Sequence, residues 1–146
     1  NYFKKFMFDI NNKNIKINII GEKDNLPKDI LDMFDSIVKN SSGDINLNIA
    51  FNYGTQFEIK NIIEKLINKN KNINIKNIRS NMYIGGIDDP DILVRTGGYH
   101  RLSNFILLNL SYTELFFTKT LWPDFSSEEL NSIIKKFLKL ERNYGL

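Results

Sequence analysis

The chain has 146 residues, 42% hydrophobic and 25% charged, with no cysteine and a single histidine, His100. That is enough polypeptide for one self-supporting core, and it excludes disulfides, a thiolate nucleophile, cysteine-ligated zinc and a multi-histidine metal site within one chain. The net charge of +3 comes from lysines scattered among Asp, Glu and Asn, which is the pattern of a solvated surface and not of a one-sided nucleic-acid face.

Phe3, Phe6, Met7 and Ile10 repeat at helical spacing with no cap before them, which predicts a helix entered partway along and further residues upstream of Asn1. Ile15, Ile17 and Ile19 alternate with Lys16 and Asn18, a strand over 15–20. Pro27 suits the first turn of a helix with Ile30, Leu31, Phe34, Ile37 and Val38 on one face. A second strand follows over 45–52, broken by Gly54. Thr55 and Glu58 have capping-box spacing before a helix whose apolar stripe is Ile59, Ile62, Ile63, Leu66 and Ile67. A short helix is expected over 75–83. Strands alternating with helices predict an α/β fold, a mostly parallel sheet flanked by helices. No apolar run approaches the ~18 residues of a membrane span, and no signal peptide is visible.

From Gly85 the texture changes. Gly85 to Pro90 reads as a turn; Asp88, Asp89 and Asp91 around Pro90 have the look of a triad of metal ligands, but beside a proline they are expected rather to shape the turn. Ile92-Leu93-Val94-Arg95 reads as a buried strand ending in a charge, followed by the glycine loop Thr96-Gly97-Gly98-Tyr99-His100-Arg101-Leu102-Ser103. The segment 105–112 is apolar enough for a buried helix, 114–118 reads as a short strand, and Trp122 and its neighbours are expected in the core. Ser126 or Ser127 caps a last helix with Leu130, Ile133, Ile134, Phe137 and Leu138 inward.

The basic residues are skewed, with 16 lysines against four arginines, Arg79, Arg95, Arg101 and Arg142. Against that background, two arginines within seven positions of one glycine loop stand out. Ligands of open α/β sheets bind beyond the carboxyl ends of the strands. Two guanidinium forks, the Ser103 hydroxyl, exposed backbone N–H groups at Gly97 and Gly98, and a helix starting near Ser103 would together make a diphosphate site. Glu114 is expected near the same sheet end, where its carboxylate could hold Mg²⁺ or serve structurally.

The segment from Asp89 to Phe125, DPDILVRTGGYHRLSNFILLNLSYTELFFTKTLWPDF, resembles the C-terminal signature of the cis-prenyltransferases, the family of undecaprenyl diphosphate synthase. INIIG at 17–21, LNIAFNYG at 47–54 and ERNYG at 141–145 resemble it more weakly. The resemblance implies a Mg²⁺-dependent transferase that condenses isopentenyl diphosphate onto an allylic diphosphate such as farnesyl diphosphate. Arg95, Arg101, Leu102 and Ser103 would bind isopentenyl diphosphate, and Glu114 would hold Mg²⁺. It further implies a cytoplasmic homodimer, with peripheral membrane contact through its polyprenyl product and no nucleic-acid partner. The chain then reads as the C-terminal part, 1–146, of a single domain. The family's catalytic aspartate, its phosphate-binding Gly-Asn-Gly-Arg loop and its first strands are expected upstream of Asn1, so this piece alone should be inactive. Tyr99 stands where the family usually has an acidic residue, Gln56 where an arginine is common, and Asn143 where an arginine reaches across the dimer. The alternative is a non-catalytic partner subunit of a prenyltransferase complex.

Overall fold

The computed structural model describes residues 14–142, so the predicted helix of Phe3, Phe6, Met7 and Ile10 and the Asn143 departure lie outside the described residues. The chain divides at Gly85–Gly86 into two compact units. Each contains a pair of parallel strands, in keeping with the predicted α/β class.

The first unit runs β1 (Ile15–Ile20), α1 (Lys28–Asn40), β2 (Ile45–Ala50), α2 (Thr55–Asn68) and α3 (Ile75–Asn81). Parallel strands need a long crossover, and α1 supplies it between β1 and β2, which pair from Ile15 opposite Ile45 to Ile20 opposite Ala50. Ile17 and Ile19 share one face of β1 and pack on Phe34 and Ile37 of α1, with Ile30, Met33 and Ile49 around them. At the strand end Gly21 adopts φ +108°, and a Cβ there would lie 2.0 Å from the Phe51 carbonyl oxygen, so the residue must be glycine.

Both backbone groups of Ile17 face away from β2. Its N–H donates to Ser41 Oγ at 2.9 Å, and the same hydroxyl lies 3.1 Å from the Val38 carbonyl. Ser41 is buried at the carboxyl end of α1. It thus closes the helix and satisfies a strand amide that β2 cannot reach.

A second core joins α2 to the segment after α3, where Ile62, Leu66 and Met82 are buried. Glu58 is 3% exposed among them, where a carboxylate is costly unless partnered. Gly54 occupies the cap position of α2, and the Glu58 carboxylate accepts from the Tyr53 hydroxyl at 2.6 Å and the Tyr83 N–H at 2.5 Å. The Tyr83 hydroxyl lies 3.4 Å from the Glu22 carboxylate. Partial burial, then the negative charges of Glu22 and Glu58, push the Tyr83 phenol above its usual value of 10.0.

The second unit runs β3 (Ile92–Arg95), β4 (Glu114–Phe117) and α4 (Ser127–Phe137), with one-turn 3₁₀ segments at Leu107–Asn109 and Trp122–Asp124. The strands pair from Ile92 opposite Glu114 to Arg95 opposite Phe117. The helix expected over 105–112 does not form. Ser103, Asn104 and Ile106 take φ of 48°, 64° and 37°, and such left-handed residues cannot continue a right-handed helix. The loop is anchored instead by Asn109, whose amide donates to Asp89 Oδ1 at 2.9 Å, and by the Thr113 hydroxyl, which donates to the Pro90 carbonyl at 2.6 Å. Asp91 accepts from Arg142 at 2.7 Å. Two of the three aspartates around Pro90 therefore hold structure, as their position beside a proline suggested.

Trp122 is not core. It is 75% exposed, with its ring stacked on Phe125 at 6.3 Å. Ser126 caps α4 by accepting from the Glu129 N–H. Of the apolar stripe expected inward on α4, Ile133 is buried, whereas Leu130, Ile134 and Leu138 are exposed. Among the described residues no helix is long and apolar enough to cross a membrane.

Ser41→Ala leaves the Ile17 N–H without its partner in a buried place and should cost about 1–3 kcal/mol, measured by urea unfolding. A folded-state pKa raised at Tyr83 contributes stability that is present below pH 10 and is lost as pH rises through the folded value. The unfolding midpoint of Tyr83→Phe should therefore fall less steeply than that of the parent between about pH 9 and 11.

Candidate functional site

Arg95 is the last residue of β3, at the carboxyl end of the strand pair. Charge at the end of an apolar strand demands partners, and the following loop folds back to supply them. One terminal nitrogen of the Arg95 guanidinium, Nη1, donates to the Arg101 carbonyl and, at 2.9 Å, to Ser103 Oγ. The loop reaches this position through four left-handed residues, Gly97 (φ 87°), Gly98 (φ 77°), Ser103 and Asn104. Left-handed backbone at non-glycine residues is strained, and such strain collects at functional sites.

Tyr99 gathers the two cations. The Arg101 guanidinium carbon lies 4.2 Å from the centre of the Tyr99 ring and that of Arg95 lies 5.8 Å away. Like charges repel, and the negative face of the ring offsets that repulsion without adding a countercharge. An acidic side chain at this position would neutralise one of the two arginines; tyrosine leaves both charges available to an anion. The His100 ring stacks on Phe117 of β4 at 4.8 Å. The Leu102 carbonyl accepts the Phe105 N–H and tightens the turn that presents Ser103.

The expected donors at the glycines are already engaged. Gly97 N–H donates to the Thr120 carbonyl at 2.9 Å and Gly98 N–H to the Thr118 carbonyl at 2.8 Å. The glycines serve positive φ, since a Cβ on either would meet nothing closer than 3.9 Å and only the left-handed backbone favours glycine there. No helix begins near Ser103 to add a positive end, because Ser103 and Asn104 are left-handed. The site's positive character thus rests on side chains.

Glu114 is the first residue of β4 and lies level with Ile92, not with Arg95. Three residues of strand, about 10 Å, separate the two levels. The register therefore places Glu114 at the amino end of the strand pair, away from the sheet end expected for it. Among the described residues no three acidic or histidine side chains gather into a group that could hold a metal.

In the first unit, the carboxyl ends of β1 and β2 open into a cleft of about 430 Å³ lined by Glu22, Asp24, Asn52, Tyr53, Gly54 and Phe57. Its charged walls are carboxylates, so it has no basic group of its own for a phosphate. Gln56 sits exposed at the second position of α2.

Three residues escaped the sequence reading. Thr118 and Thr120 flank Lys119 in the turn that holds the glycine loop, and Glu129 accepts from both hydroxyls, at 2.5 and 3.2 Å. A cap at Ser126 or Ser127 was legible as a helix start, and Glu129 falls in the first turn that follows. That the carboxylate turns away from the cap toward another segment was not.

Residues 1–145 match the prenyltransferase family model for undecaprenyl diphosphate synthases. The chain is 34% identical over 148 residues to an isoprenyl transferase of Porphyromonas gingivalis, covering 95% of this chain and 58% of that protein. It is 36% identical over 140 residues to a geranylgeranyl-diphosphate-specific tritrans,polycis-undecaprenyl-diphosphate synthase of Pyrococcus furiosus, covering 90% and 53%. The structure resembles that of a probable undecaprenyl diphosphate synthase from Campylobacter jejuni with a TM-score of 0.86 and 28% identity, covering 99% of this chain and 72% of that one. The chain spans roughly three-fifths of the length of the curated relatives it matches. With its RTGG loop folded around Arg95, the chain belongs to the undecaprenyl diphosphate synthase family of prenyltransferases.

Proposed function

We propose that this chain is the C-terminal part of a cis-prenyltransferase and carries the site for isopentenyl diphosphate. The observation that supports this best is the convergence of Arg95 and Arg101 on the Tyr99 ring, with the Ser103 hydroxyl at 2.9 Å from Arg95. Two guanidinium forks match a diphosphate in charge and in paired donor geometry, and a hydroxyl completes the set. Leu102 lies between Arg101 and Ser103 and contributes its backbone turn.

In the proposed reaction the C–O bond of an allylic diphosphate such as farnesyl diphosphate breaks and releases diphosphate. The isopentenyl double bond attacks the allylic carbon, and loss of a proton leaves the new double bond cis. Arg95, Arg101 and Ser103 hold the isopentenyl diphosphate by its anionic end. That fixes the direction in which its double bond points and converts an encounter in solution into an oriented attack. The arginines are preorganised by Tyr99 and by the loop carbonyl, so little rearrangement is needed when the anion arrives.

Dependence on Mg²⁺ is part of the proposal, with Glu114 as one candidate carboxylate, and such an ion would neutralise charge on the leaving diphosphate. A cytoplasmic homodimer is proposed as well. In support, Leu121, Trp122, Leu130 and Leu138 expose apolar side chains that an interface would cover. A long polyprenyl product would bring the enzyme to the membrane surface.

The full-length protein, given farnesyl diphosphate, Mg²⁺ and radiolabelled isopentenyl diphosphate, should incorporate label and lose that activity with chelator; no incorporation with intact protein sinks the reading. Arg95→Lys removes a charge-assisted fork and should raise the KM for isopentenyl diphosphate about 10- to 100-fold. Tyr99→Ala should weaken binding of inorganic pyrophosphate roughly two- to fivefold by calorimetry, and Tyr99→Phe, which keeps the ring, should weaken it less.

A further inference from the structure

We propose that Glu129 is a positioning residue for the diphosphate loop, acting through Thr118 and Thr120 from the first turn of α4. This rests on the reading of Arg95 and Arg101 as the anion site.

The segment Thr118-Lys119-Thr120 is held from two sides. On one side it meets the arginine loop through three backbone hydrogen bonds. Thr118 N–H donates to the Arg95 carbonyl at 2.9 Å, Gly98 N–H to the Thr118 carbonyl at 2.8 Å, and Gly97 N–H to the Thr120 carbonyl at 2.9 Å. On the other side both threonine hydroxyls point to one carboxylate oxygen, Glu129 Oε1, at 2.5 and 3.2 Å, and lie 3.1 Å from each other. The Thr120 N–H closes the turn on Thr118 Oγ1 at 3.2 Å.

Glu129 is itself well placed to act as an anchor. Its N–H is capped by Ser126 Oγ at 3.2 Å, and it stands in the first turn of an eleven-residue helix, where backbone N–H groups favour negative charge. The carboxylate stands on helical backbone and accepts two hydroxyls that would otherwise compete for the backbone of their own turn. Without it the 118–120 turn loses its outer wall, while its inner wall is the glycine loop. Glycine has the widest backbone range of any residue, so slack in the turn passes through Gly97 and Gly98 to the position of Arg95 and to the approach of Arg101. Glu129 meets none of the anion-binding side chains within the hydrogen bonds it makes; it acts through the turn.

The test uses the full-length protein. In Glu129→Ala, amide hydrogen exchange in peptides covering Gly97 and Gly98 should accelerate about tenfold. The KM for isopentenyl diphosphate should rise about tenfold, while the KM for the allylic diphosphate and the thermal midpoint stay near those of the parent. Glu129→Gln, whose amide oxygen still accepts both hydroxyls, should restore the protected amides and the low KM. The double variant Thr118→Val, Thr120→Val should reproduce Glu129→Ala from the other side. Unchanged exchange at Gly97 and Gly98 in Glu129→Ala overturns the clamp. Faster exchange with no change in KM overturns its positioning role, and a uniform rise in exchange with a lowered midpoint reduces Glu129 to a stabilising residue. If the parent protein turns over no isopentenyl diphosphate, the proposed function fails, and exchange together with pyrophosphate affinity still decides the clamp.

Discussion

Arg95 ends a parallel strand with a charge that the preceding three apolar residues cannot accommodate. The following loop folds back to meet that guanidinium. The loop after it turns left-handed at the glycines and again at Ser103 and Asn104, so that a carbonyl and a hydroxyl come back to the same nitrogen. Regular helix is given up over residues 103–106 to achieve this. A backbone that satisfies an unbound cation with two weak neutral acceptors leaves its charge unspent, and an anion can then take it.

Two glutamates at the starts of helices do related work. Glu58 in α2 and Glu129 in α4 each sit in a first turn, where the macrodipole tolerates a carboxylate. Each sends its oxygens to another segment. Glu58 receives the Tyr53 hydroxyl and the Tyr83 N–H, and Glu129 receives Thr118 and Thr120. The helix thereby becomes a rigid base for a loop that has no regular structure of its own. This matters most in the second unit, where the connection from β3 to β4 lacks a crossover helix and stability must come from side-chain ties such as Asn109 to Asp89 and Arg142 to Asp91.

Much of the secondary structure was legible because local periodicity and burial agree. Ile17, Ile19, Phe34 and Ile37 have strand and helix spacing and form one core. The apolar run over 105–112 misled because hydrophobicity measures burial and not backbone conformation. Three left-handed residues decide there, and nothing in the side chains of Ser103 or Ile106 announces them. Trp122 misled for a related reason, since a large ring is expected inside only when a neighbouring element covers it.

The sequence by itself determined the α/β class and the family and singled out the candidate anion-binding side chains, because residue type sets charge and donor geometry and the two arginines stand out against a lysine-rich background. Tertiary structure alone decided how these groups are used. It spent the Gly97 and Gly98 amides on the 118–120 turn, laid both guanidiniums near the Tyr99 ring, and set Glu114 three residues of strand from the level of Arg95. Such choices depend on register and on hydrogen bonds between segments far apart along the chain, and no local pattern encodes which partner a donor will find.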